Sequence, residues 1–105
     1  MTKPSQKSVE RDARSIARRC LSGGGTLLRR KENHVVTIAE AIRRRWGVSP
    51  AVWQAKHVRW FLEVEKAHCS PGTQYRYYML IKRLLIDQDK WLDWERLLRG
   101  PWIKP

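Results

Sequence analysis

Apolar positions return every three or four residues over most of the chain, the period of a helix with one buried face. The first such run extends from Val9 to about Leu21. It places Val9, Ala13, Ile16, Ala17 and Cys20 on one side and Arg11, Arg14, Arg18 and Arg19 on the other. Ser8 is its expected cap. The acids Glu10 and Asp12 come early and the arginines late, an order that suits the helix dipole. Ser22-Gly23-Gly24-Gly25-Thr26 then breaks the pattern as a flexible joint. A second helix is expected within Leu28 to Trp46, with Val35, Ile38, Ala39, Ile42 and Trp46 inward and Gly47 as its terminator.

Val48 to Val52 reads as a connector, and a third helix as roughly Trp53 to Lys66. Val58, Phe61 and Leu62 face inward there, with Trp53 a further candidate. Lys56, His57, Arg59 and Trp60 lie on its other sides. Ser70-Pro71 is a strong helix start, a capping hydroxyl followed by proline at the first helical position. That fourth helix reaches about Asp87 and turns Tyr78, Ile81, Leu84 and Leu85 inward. Thr73, Arg76 and Arg83 open another face. Asp89 is the expected cap of a short fifth helix that buries Trp91, Trp94 and Leu97 or Leu98, and Gly100-Pro101 ends it. No stretch alternates like a strand. The pattern predicts an all-α bundle of four to five helices, with residues 1–7 as a disordered basic tail and 8–105 as one domain.

Charge changes the picture most. Among 105 residues, 22 are Lys or Arg and 10 are Asp or Glu, a net charge of +12. Such an excess repels itself, and a polyanion relieves it. Nucleic acid is the leading partner, since neutralising phosphates releases counterions. An anionic membrane surface is the second. No apolar stretch is long enough to cross a bilayer. The polar start, Met1 to Lys7, has no signal core, and Cys20 and Cys69 make no disulfide framework. A cytoplasmic location is expected, on the nucleoid when DNA is bound.

The chemistry points the same way. No local signature organises a nucleophile, and Glu63 and Glu65 do not face one site. The triple glycine lacks the lysine of a phosphate loop. The histidines and cysteines lack paired metal-ligand spacing. No catalytic residue, metal, cofactor or small-molecule substrate is expected. The DNA-contacting residues are expected to be Arg29, Arg30 and Lys31 on the second helix, Lys56 and His57 at the start of the third, and Thr73, Gln74, Arg76 and Arg83 on the fourth. A helix start offers N–H groups and positive dipole to a phosphate, and a long arginine can reach a base edge.

The stretch 54–85 resembles the N-terminal core-binding domain of tyrosine recombinases, the phage integrases. The resemblance rests on Ala55-Lys56-His57-Val58, Phe61-Leu62, Ser70-Pro71-Gly72-Thr73, Tyr77-Tyr78 and the aliphatic run from Ile81 to Leu85. The basic helix from Arg29 to Trp46 fits the family's first core-binding helix. The resemblance implies a SAM-like helical fold that grips one side of duplex DNA at a recombination site. Lys56, His57, Thr73, Gln74 and Arg76 are the matched contact positions. Strand cleavage belongs to a separate catalytic domain in that family. With the chain ending at Pro105, that domain, or other subunits on the DNA, would be a partner. The segment from Trp91 to Trp102 is richer in tryptophan than the family leads one to expect. Two other readings stay open: a basic adaptor for an acidic protein, and a helix-turn-helix or excisionase-like regulator, which would dimerise on a palindrome.

Overall fold

The structure, a computed structural model, describes residues 4–21 and 23–104. Among the described residues the chain is all-α. It has five α-helices, short 3₁₀ and π-helical segments, and no strand. It divides into two compact units, Met1–Trp53 and Gln54–Pro105.

In the first unit, α1 spans Gln6–Cys20 and α2 spans Gly25–Trp46, and the two pack on each other. The cap of α1 is Ser5 instead of Ser8: the Ser8 N–H donates to the Ser5 hydroxyl at 3.1 Å. Gln6 and Lys7 are therefore helical, while residues 1–3 of the expected tail lie outside the described residues. Val9, Ala13, Ala17 and Cys20 are the buried stripe, and Ile16 is only half-buried. α2 starts three residues ahead of Leu28, so the joint shrinks to residues 21–24, of which Ser22 is not described. Its buried face holds Val35, Ile38, Ala39, Ala41 and Ile42, with one charged residue, Glu32. Burial of a side chain such as Ile38 or Ile42 contributes about 1.5–3 kcal/mol. Gly47 ends α2 in the left-handed region at φ 68°, and its N–H reaches the Arg43 carbonyl at 2.7 Å. Trp46 is only half-buried, and the Arg45 guanidinium lies 4.9 Å from its ring centroid.

In the second unit, α3 is short, Ala55–Trp60, and continues as a π-helical turn over Phe61–Glu65. The Lys66 N–H closes that wide turn on the Phe61 carbonyl at 3.0 Å. Both neighbours Phe61 and Leu62 are fully buried there. Trp53 is buried but precedes the helix. α4 spans Pro71–Asp87 and starts as expected: the Thr73 N–H donates to the Ser70 hydroxyl at 3.3 Å. Its buried residues are Tyr78, Ile81, Leu84 and Leu85. α4 ends in a Schellman pattern. The Lys90 N–H reaches the Leu85 carbonyl at 2.8 Å and the Asp89 N–H reaches that of Ile86 at 3.1 Å. Asp89 sits at φ 59°. It is thus the left-handed residue that stops α4, and it does not cap the next helix.

α5 covers only Trp91–Trp94, followed by 3₁₀ turns over Glu95–Leu98 and Pro101–Ile103. Trp91 and Trp94, expected in the core, are half-buried. Lys82 and Lys90 each place an ammonium 5.3 Å from one of these rings. Of this segment's tryptophans it is Trp102 that enters the core, and of the two expected leucines it is Leu98.

Candidate nucleic-acid interface

The exposed face of α4 is built by helical spacing. With Tyr78, Ile81, Leu84 and Leu85 turned inward, Arg76 and Arg83 are left exposed. Two turns separate them, about 10 Å along the axis. Neither is drawn into a hydrogen bond or ion pair among the described residues. Other arginines are held. Arg43 is ion-paired with Glu40, which raises its already high pKa. Arg59 reaches Glu63 at 2.8 Å and the carbonyls of Leu97 and Arg99 at 2.9 and 3.0 Å. Lys56, near the start of α3, is exposed as well.

Three of the other expected contacts are turned to internal work. His57 is buried, and its Nδ1 accepts the Gln54 backbone N–H at 3.0 Å. That places the ring in the cap of its own helix. Burial, and secondarily the neighbouring Lys56, push its pKa below the ordinary histidine value, so the ring is no cation for DNA. Gln74 is half-buried, and its side-chain amide donates to the Leu62 carbonyl at 3.2 Å, tying the start of α4 to the π turn. Thr73 is half-buried, with its hydroxyl accepting from Ser70 at 3.1 Å. The N–H groups of Thr73 and Gln74 are spent on Ser70, so these two donors do not stand open to a phosphate.

Arg29 and Arg30 are exposed near the start of α2, and Lys31 is half-buried beside them. Glu32 is not among the expected contacts. Its side chain is 9% exposed and lies 3.2 Å from Arg18 Nε and 3.6 Å from Arg14 Nη1. The signal for it is present in the sequence. A lone acid three residues before Val35 and six before Ile38 shares the apolar stripe, and a carboxylate there requires cations.

Among the described residues, no group of three or more His, Cys, Asp or Glu side chains comes together as a metal site. Cys20 is buried, and the Cys69 Sγ lies 3.7 Å from His68 Nε2. No helix among them is long and apolar enough to cross a membrane. Set against protein-family models, curated proteins and solved structures, the chain matches none.

Proposed function

We propose that the chain is a non-catalytic module that binds duplex DNA, as the core-binding part of a tyrosine-recombinase integrase or as a free-standing relative of one. The observation that carries this reading is the exposed pair Arg76 and Arg83 on one face of α4, without acidic partners among the described residues. The net charge of +12 and the exposed Lys56 support it. So does groove geometry, since the major groove admits one α-helix whose arginines meet phosphates or guanine edges. Strand cleavage would come from a recombinase catalytic domain or other subunits on the DNA. The site of action would be the cytoplasm, on the nucleoid.

Duplex affinity measured across salt tests the reading. With about six phosphates neutralised, the log–log slope lies near −5. A flat response removes the electrostatic mechanism.

One observation favours an adaptor for an acidic protein instead: Leu92 is 87% exposed between the half-buried Trp91 and Trp94. Exposed apolar surface beside cations suits a protein partner better than a phosphate backbone. Failure of duplex binding to saturate near physiological salt selects this reading.

A further inference from the structure

We infer that the cleft formed by Arg14, Arg18 and Arg29 in the first unit is a binding site for a phosphate group. The cleft measures about 390 Å³ and is lined by these three arginines with Glu32 and Asn33. Against these three guanidiniums stand two carboxylates, Glu32 in the cleft and Glu10 on Arg14, which leaves one positive charge in excess. Glu10 touches Arg14 at 3.4 Å but does not line the cleft.

The arrangement is more than an ion pair. Glu32, fixed on the buried stripe of α2, holds two arginines one turn apart on α1. It takes Arg18 by its Nε, so the terminal nitrogens of that guanidinium are not what binds the carboxylate at 3.2 Å. Arg18 keeps its side chain 66% exposed. Arg29 lies one turn before Glu32 on α2, is exposed, and has no acidic partner among the described residues. Asn33 adds a neutral amide. Arg14 gives Nη1 to Glu32 and Nη2 to Glu10, so the guanidiniums that keep their terminal nitrogens toward the open space are those of Arg18 and Arg29. Guanidinium forks pair with phosphate oxygens in the bidentate way they pair with carboxylates. The group could belong to a nucleic-acid backbone or to a small phosphorylated molecule, and the chemistry of recognition is shared. The site does not depend on the α4 surface, so either can fail alone.

The test is a titration of the ¹⁵N-labelled chain with inorganic phosphate, set against sodium chloride at equal ionic strength. The signals followed are arginine Nε–H and the Asn33 side-chain amide. Saturable shifts at Arg14, Arg18, Arg29 and Asn33, with phosphate and not chloride, are expected. Arg29→Gln should weaken phosphate binding about tenfold with an unchanged helical circular dichroism spectrum, while Arg96→Gln, at an exposed arginine assigned to neither surface, should leave it intact. A second arm compares a short DNA duplex with O-phosphoserine. Shifts at the same signals from the duplex assign the backbone as the source, and shifts from phosphoserine alone assign a small phosphorylated ligand. If phosphate, duplex and phosphoserine all leave these signals unmoved, or chloride moves them equally, the site is refuted.

Discussion

The indole N–H of Trp102 donates to the Leu98 carbonyl at 2.7 Å, and both residues are out of solvent. The contact joins two consecutive 3₁₀ turns that have little regular backbone bonding between them. It also explains Gly100, whose backbone is extended and needs no special freedom. A methyl group there would run into the Trp102 ring. Trp102→Ala should cost about 3–5 kcal/mol and Gly100→Ala about 1–3 kcal/mol in urea unfolding. The half-buried Trp46, Trp91 and Trp94 should each cost about 1 kcal/mol on truncation to alanine. Equal losses at all four tryptophans would contradict this division of core from surface.

Asp89 offers a gain. It is the non-glycine residue with positive φ among the described residues, at 59°, in a position where glycine is usual. Asp89→Gly should stabilise the chain by about 0.5–1 kcal/mol, because the left-handed conformation then costs little. A thermal melt in which the variant unfolds at lower temperature would show that the carboxylate does something there besides endure strain.

His57 predicts a pH dependence with a definite sign. Burial and Lys56 lower its folded pKa, so the unfolded chain binds this proton more readily. Protonation would also turn Nδ1 into a donor facing the Gln54 N–H donor. The contribution is therefore complete above about pH 6.5 and is lost as pH falls through the lowered folded value. Comparing unfolding free energies of wild type and His57→Gln between pH 7.5 and 5 isolates it. Wild type should lose its advantage as acid is added. An advantage that grows in acid would reverse the assignment.

Much of the fold was legible because helical spacing is a local property. The buried set of α4, the Ser70-Pro71 start and the Gly47 stop all follow from neighbours in the sequence. The errors arise where tertiary structure decides. Which tryptophan enters the core depends on where the chain after α5 returns, and composition does not reveal that. The surroundings of the candidate residues were readable in part. Arg76 and Arg83 fall outside the apolar stripe and are exposed. His57 stands four residues before Phe61, and Gln74 four before Tyr78. Each polar group therefore shares a face with a core residue, and that spacing signals internal hydrogen bonds over contact with a ligand. Helix-start chemistry and the resemblance to recombinases both point these residues toward DNA, while the spacing points them inward.

The proposed duplex binding through the α4 face can be tested at the two arginines themselves. Arg76→Ala should weaken binding by about 1–3 kcal/mol and relax sequence preference if its side chain meets a base edge. If it meets only phosphate, the loss should be even across sequences and the salt slope shallower by about one. The most direct measurement is an NMR titration of the labelled chain with a short duplex, following backbone amides and arginine side chains. The account predicts saturable shifts at Arg76, Arg83 and Lys56, with His57 and Gln74 little changed because they are engaged inside the protein. Saturable duplex binding that leaves Arg76 and Arg83 unshifted would contradict it.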